Sequence, residues 1–263
     1  MSESDSQEQV AVVLPDGSAL EVDADATVED CAYEIGPGLG SDTVAGKLDG
    51  DLVAKEQPVY DGAELEIITD QSEEYLEVMR HSAAHCLAQA VERHYDDVDL
   101  AIGPPTDEGF YYDFDNLDVD EEDLAALEDE IEEIIAEDYE IEREEVSIDD
   151  AEARLADEPY KLELLSEFAE EADTVTFYSQ GEWEDLCAGP HVDSTGEIGV
   201  VELLEIAGAT GAATRTTRCR RASTAPPSKT RAISRTSSSA NRKLRSAITA
   251  GSATRWTSFR SRT

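Results

Sequence analysis

Ser72-Glu-Glu-Tyr-Leu-Glu-Val-Met-Arg-His-Ser-Ala-Ala-His-Cys-Leu-Ala-Gln-Ala-Val-Glu-Arg-His-Tyr95 is the strongest helical stretch in this chain. Its position between a β-rich segment and a mixed one decides the fold. Ser72 stands where an N-cap belongs, with Glu73 and Glu74 after it. Leu76, Met79, Ala83, Leu87 and Ala90 recur at helical spacing as an apolar stripe, with Cys86 at its edge. His81 and His85 fall on the opposite face with Val78, Ser82 and Ala88. His94 returns to the apolar side near the helix end, where a packing or capping histidine is expected.

Upstream, residues 8–69 predict a small β-rich domain. Gln9–Leu14 and Ala19–Val22 alternate as strands around the turn signal Pro15-Asp-Gly17. Thr27 with Asp30 forms a capping-box pattern ahead of a short helix to Ile35. Short strands follow at Thr43–Leu48, Leu52–Val53 and Glu64–Ile68. Hairpin, helix and further strands is a ubiquitin-like β-grasp order. Downstream, Ala101–Pro105 reads as a loop, Gly109–Phe114 as an aromatic strand, and Ile141–Ile148 and Thr174–Tyr178 as strands. Asp120 is expected to cap an acidic helix with Leu124, Leu127, Ile131, Ile134 and Ile135 at helical spacing. Asp149 starts a short helix, and Pro159 suits the first position of the next. The fold class is therefore α+β: a β-grasp domain at 8–69 after a disordered 1–7, then an α+β domain at 70–208.

The charge is extreme and uneven. Residues 1–206 carry all 62 Asp+Glu against seven Lys and Arg, a net charge of −55, and the other 13 bases lie beyond them. Such a load suits molar salt, where the Debye length falls to about 3 Å and self-repulsion is screened. No EF-hand loop accompanies the acids, so they read as a solvated surface rather than a calcium site. No apolar run approaches the roughly 18 residues of a membrane span. The acidic N-terminus is unlike a signal peptide, and the four cysteines lack disulfide-framework spacing. A reduced, cytoplasmic protein with no membrane partner is expected.

Three of the four histidines and one cysteine fall into two motifs of matched spacing: His81-Ser-Ala-Ala-His85 and Cys187-Ala-Gly-Pro-His191. The first offers two imidazoles from a helix. The second contains Pro190 and reads as a loop. Meeting in one cleft, the four could hold zinc tetrahedrally, or the histidines could activate water without metal.

Arg80–His85, Ala101–Pro104, Gly109–Asp113, Tyr160-Lys161, Asp185–His191 and Ile206–Gly208 follow one another as in the editing domain of bacterial-type threonyl-tRNA synthetases. Residues 8–69 resemble the TGS domain that precedes it. The resemblance spans roughly residues 8–208 and, with the acidic load, implies a haloarchaeal kind. It implies hydrolysis of serine wrongly esterified to tRNA(Thr), whose acceptor end would be the partner. It places His81, His85, Cys187 and His191 around the ester as catalytic groups, with Lys161, Asp185 and Tyr112 binding substrate. No metal is expected for this reaction; if zinc is bound, the quartet holds it, as in alanyl-type editing proteins. The alternatives are a non-catalytic RNA- or nucleotide-binding TGS module, an inactive gene remnant, and a zinc-dependent alanyl-type trans-editing protein.

After Gly208 the resemblance stops. Residues 209–263 are rich in Ala, Ser, Thr and Arg and contain none of the family's following segments. A frameshift near residue 208 accounts for this, since Ala222–Lys229 back-translates two bases on to Ile-Tyr-Gly-Thr-Ala-Phe-Glu. A basic, disordered tail is therefore expected, with no site for the synthetase's ATP or catalytic zinc and with its dimerising core absent, which leaves the oligomeric state open.

Overall fold

A computed structural model describes residues 8–170, 172–208 and 215–219. The first domain begins with the hairpin β1 (Gln9–Val13) and β2 (Ala19–Asp23). Thr27 and Asp30 then close the expected capping box: Asp30 N–H donates to Thr27 Oγ1 and Thr27 N–H to Asp30 Oδ2. That reciprocal pair starts α1 (Val28–Ile35), and such a cap is worth about 1 kcal/mol. A second short helix, α2 (Pro37–Ser41), leads into β3 (Thr43–Leu48), β4 (Asp51–Ala54) and β5 (Leu65–Thr69), ordered β4-β3-β5. Val13 makes an isolated parallel bridge to Glu64, just ahead of β5, which sets the β1-β2 hairpin against the three-stranded sheet in a β-grasp arrangement. Val12, Val28, Cys31, Leu48 and Leu65 fill the space between sheet and helix.

The second domain starts with α3 (Tyr75–His94) and continues through β6 (Asp99–Leu100), β7 (Pro105–Thr106) and β8 (Gly109–Asp115). Then come α4 (Leu124–Glu137), β9 (Ile141–Ser147), α5 (Ile148–Arg154) and α6 (Pro159–Phe168). The hairpin β10 (Thr174–Gln180) and β11 (Trp183–Leu186) is followed by β12 (Leu203–Gly208) and β13 (Arg215–Cys219). One antiparallel sheet runs β11-β10-β9 and carries α5 and α6 on an apolar layer of Val146, Leu165, Val175 and Phe177. The other runs β12-β13-β8-β6, with β7 also on β8. Its Phe110, Tyr112 and Phe114 share a core with Met79, Leu87 and Val91 of α3 and Leu127, Ile131 and Ile134 of α4. Val44, Ala45 and Ile68 of the β-grasp sheet belong to that same core, so the two domains are packed together.

Several local expectations need correction. Ser72 does not cap α3; its hydroxyl accepts from Thr69 N–H in the turn before, and Glu74 stands at the cap. Asp120 likewise lies in the turn ahead of α4, where its own N–H donates to the capping residue Asp123. The helix is not two-faced: Ser82 to Val91 are buried all round it, whereas Leu76 of the expected stripe is 37% exposed. His94 is exposed rather than packed, with Nε2 2.9 Å from Glu130.

The tail expectation fails at one place. Residues 215–219 form a strand paired to Phe110–Phe114 on one side and to β12 on the other. Backbone pairing needs no apolar period in the inserted strand, which is why the composition of Arg215-Thr-Thr-Arg-Cys219 did not announce it. The remainder of the expected disordered tail, and residues 1–7, lie outside the described residues.

Candidate functional site

The site forms where α3 meets the loop that leaves β11. His81 and His85 are one turn apart on α3 and project to one side. After Leu186 the chain leaves the sheet, although Cys187 N–H still bonds to Thr176 O at 3.0 Å and Thr176 Oγ1 bonds back to the Cys187 carbonyl. Gly189 then takes φ of +67° and joins Pro190 through a cis peptide. A side chain at Gly189 would place its Cβ 2.2 Å from the Tyr178 hydroxyl, so only glycine fits there. This turn carries His191 back beside Cys187. As the sequence indicated, Pro190 lies outside any helix.

All four residues meet. Cys187 Sγ is 3.2 Å from His81 Nε2 and 3.4 Å from His191 Nε2. The ring of His191 lies 4.3 Å from that of His81 and 4.1 Å from that of His85. Their four ligand atoms fall within 4.8 Å of one another, a donor set that could hold a metal ion. Trp183 walls the site edge-on to His85 at 5.0 Å, and Tyr178 lies 4.5 Å from His191.

The hydrogen bonds fix the tautomer of His191. Ser82 Oγ gives its single proton to Val78 O at 3.0 Å and accepts from Val192 N–H at 3.1 Å. Its contact with His191 Nδ1 at 3.1 Å must therefore be accepted from an Nδ1–H. His81 meets the same sulfur as His191, also through Nε2. Both rings turn Nε2 toward one thiol. A single S–H satisfies only one of them, and Gly189 N–H donates to the sulfur from behind at 3.3 Å. Nδ1 of His85 is buried without a partner.

Burial sets the charge state. Desolvation drives the His81 pKa down to about 4, helped by the Lys161 charge, and holds His85 and His191 well below the usual imidazole range. It pushes the Cys187 thiol up to about 12, with Asp185 adding to the rise. Near neutral pH the site therefore holds neutral imidazoles and a protonated thiol.

Beside the quartet lies a second polar group. Asp185, on β11, precedes Cys187 by two residues, the spacing that keeps side chains on one face of a strand. Lys161, in the first turn of α6, reaches it at 2.6 Å, and both side chains are under 7% exposed. Tyr112 OH donates to Asp185 Oδ2 at 2.9 Å and accepts from Lys161 Nζ at 3.3 Å. Burial, and then the Asp185 charge, hold the Tyr112 phenol well above its usual range. Gly103, in the loop after β6, lies flat against the Tyr112 ring, where a Cβ would approach to 2.2 Å.

The structure thus brings all seven sequence-selected residues into one region. Sequence reasoning passed over Ser82, Gly103 and Tyr178. Ser82 carried a faint signal as a polar residue in the small-residue run between two histidines. Gly103 lay within the Ala101–Pro104 segment that carries the resemblance, and Tyr178 had no signal without the fold.

Comparison with known proteins supplies the context. Residues 10–69 match the TGS domain, and residues 175–223 match the threonyl and alanyl tRNA synthetase second additional domain. The second match runs past Gly208, in agreement with the strand at 215–219. A threonine–tRNA ligase of Natronomonas pharaonis is 58% identical over 201 residues, which is 76% of this chain and 31% of that protein. Those of Haloarcula marismortui and Lactococcus lactis subsp. lactis are 59% and 43% identical over 200 and 202 residues, again 76% of this chain and 31% of each.

Proposed function

We propose that this chain, which carries a TGS domain and an editing-type domain like those at the N-terminal end of threonyl-tRNA synthetases and spans about a third of the length of those relatives, hydrolyses the ester of serine wrongly attached to tRNA(Thr), with the tRNA acceptor end as partner. The observation that carries this reading is the convergence of His81, His85, Cys187 and His191 beside the Lys161–Asp185–Tyr112 group.

Serine differs from threonine by one methyl group, and a pocket discriminates one methylene by only about 1–3 kcal/mol. A separate hydrolytic site removes that error. An aminoacyl ester is already activated, so the site must position a water and accept its proton. A neutral imidazole with Nε2 unprotonated, as in His191, meets that need. Cys187, held as a thiol, acts as an S–H donor that orients the imidazoles rather than as a nucleophile. Lys161 Nζ is held by both carboxylate oxygens of Asp185 and by Tyr112 OH, and its positive charge would attract a ribose or phosphate oxygen of the acceptor end. Asp185 keeps that ammonium in place, and Tyr112 forms part of the pocket wall. No step of this reaction calls for a metal. Where zinc does bind, the three imidazoles and the thiolate would hold it and it would supply Lewis-acid activation of water.

The test is release of serine and threonine from charged tRNA(Thr) in molar KCl. Serine should be released faster, and His85→Ala and Cys187→Ala should each slow it. Equal release of both amino acids, or wild-type rates in both variants, would refute the proposal. Binding of tRNA without ester loss would instead indicate the non-catalytic module. Metal content measured on the same sample separates the zinc-dependent reading.

A further inference from the structure

The TGS-like domain touches both halves of the quartet. Its β3 and β5 supply Val44, Ala45 and Ile68 to the core around α3, which carries His81 and His85. At the start of that helix Glu74 pairs with Lys47 of β3. On the other side Lys55, just after β4, reaches Asp193 Oδ1 at 2.6 Å. Asp193 lies two residues beyond His191.

The second domain also anchors the loop around His191. Ser82 holds His191 and Val192 N–H, the Asp193 carbonyl accepts from Ile141 N–H at 2.9 Å, and Ser194 and Thr195 bond to Asp138, Tyr139 and Ile134. Lys55 adds a side-chain contact to this loop from the TGS-like domain. Behind His191 a narrow cavity is lined by Val44, Ala54 and Lys55 from the TGS-like domain and by Tyr178 and Pro190 from the second domain. Part of the wall behind this imidazole therefore belongs to a domain that contributes none of the quartet.

We propose that Lys55 is a positioning residue for the hydrolytic site: through Asp193 it fixes the loop that sets His191 and Cys187 against α3. The proposal rests on the hydrolytic reading above and extends it to the TGS-like domain. A surface ion pair is ordinarily worth little. Here the Lys55 side chain is only 18% exposed while that of Asp193 is 54% exposed, and Glu29 stands 3.6 Å away as a second carboxylate. The 2.6 Å contact is also shorter than the Debye length of about 3 Å at molar salt, so the pair survives where longer-range attractions are screened. Among seven bases in a region of 62 acids, this one is placed across the domain boundary at the active loop.

The test uses the full chain in molar KCl with Lys55→Met, Lys55→Arg, Asp193→Asn and the Met/Asn double variant. Two measurements are made: the serine-release kinetics, and the alkylation rate of Cys187 followed by peptide mass mapping. Lys55→Met and Asp193→Asn should each lower kcat roughly tenfold with KM unchanged, since small misplacements of catalytic groups have large effects. The double variant should be no worse than either single one, and Lys55→Arg should stay near wild type. Cys187 should alkylate several-fold faster in the Met and Asn variants as the loop loosens. An unchanged kcat, an unchanged alkylation rate, or fully additive losses would overturn the proposal. So would a rise in KM alone, which would assign Lys55 to direct contact with tRNA. If Lys55→Met does not fold, Asp193→Asn at the other end of the same contact decides. If the wild-type chain releases no serine, the hydrolytic reading fails by itself, and the alkylation comparison still decides the role of Lys55.

Discussion

Ser82 Oγ and His191 Nδ1 stand 3.1 Å apart, joining the middle of α3 to a loop 109 residues further along the chain. The same hydroxyl also receives Val192 N–H, so one small side chain fixes both the tautomer of His191 and the backbone that carries it.

Ser82→Ala should therefore weaken structure and chemistry together. It leaves two buried donors, His191 Nδ1–H and Val192 N–H, without an acceptor, and each such group costs about 1–3 kcal/mol. Urea unfolding in molar KCl should show a loss of roughly 2 kcal/mol or more. Serine release should slow through kcat, with little change in KM. A variant with wild-type stability and kcat would contradict the assigned hydrogen bonds.

The pH response should differ from that of an ordinary histidine enzyme. With His81 lowered to about 4, and with His85 and His191 held well below 6.5 by burial, the neutral forms persist well below pH 6.5. Measured with EDTA present, the rate should stay level from pH 8 down to about 5, where it would already have fallen with imidazoles of the usual pKa near 6.5. The linkage sign follows from proton counts. Below 6.5 the unfolded chain protonates these rings while the folded chain does not, so they stabilise the fold above 6.5 and that contribution declines as pH falls toward 4. A rate that drops by half near pH 6.5 would show that the rings are not desolvated.

Lys161→Met should destabilise the domain by about 3–5 kcal/mol, because it strands the buried Asp185 carboxylate. Pairing it with Asp185→Leu should recover most of that stability, since an apolar pair can replace a buried ion pair. Serine release should not recover with it. Recovery of hydrolysis in the double variant would assign Lys161 and Asp185 to structure alone.

Gly103→Ala tests the wall of the pocket. Its Cβ would stand 2.2 Å from Tyr112 Cδ2, which forces the ring away from Asp185. A cost of about 1–3 kcal/mol, typical of overpacking, is expected together with slower serine release. Gly38→Ala, where nothing lies within 4 Å, should leave the release rate unchanged. Equal activity in the two variants would remove Tyr112 from the site.

Local features of the fold were legible in the sequence because local chemistry specifies them. The Thr27–Asp30 capping box, β3 at Thr43–Leu48 and the Pro159 helix start all depend on neighbours a few residues away. The quartet was legible because residue types rare in this chain occur at matched spacing. What escaped was set by partners distant in sequence. The reading of α3 as two-faced failed because the second domain and the β-grasp sheet enclose it from different sides. His94 faces Glu130 because α4 passes there. Lys55 and Asp193 are 138 residues apart, and no periodicity links them. Tyr112 was placed in the pocket by resemblance, whereas its contacts with Lys161 and Asp185 emerge only from the packing of β8, α6 and β11.

The strand at Arg215–Cys219 has a bearing on how this domain can be handled. It is the only neighbour of β12 in its sheet among the described residues, and it covers the flank of β8 from Phe110 to Phe114. A chain cut at Gly208, where the sequence similarity first fades to the eye, would bare the hydrogen-bonding edge of an aromatic strand and leave β12 without a strand partner. Bare edges of that kind recruit strands from other molecules. The shortest version of this domain that stays monomeric should therefore extend beyond Cys219, and shorter versions should self-associate through β8.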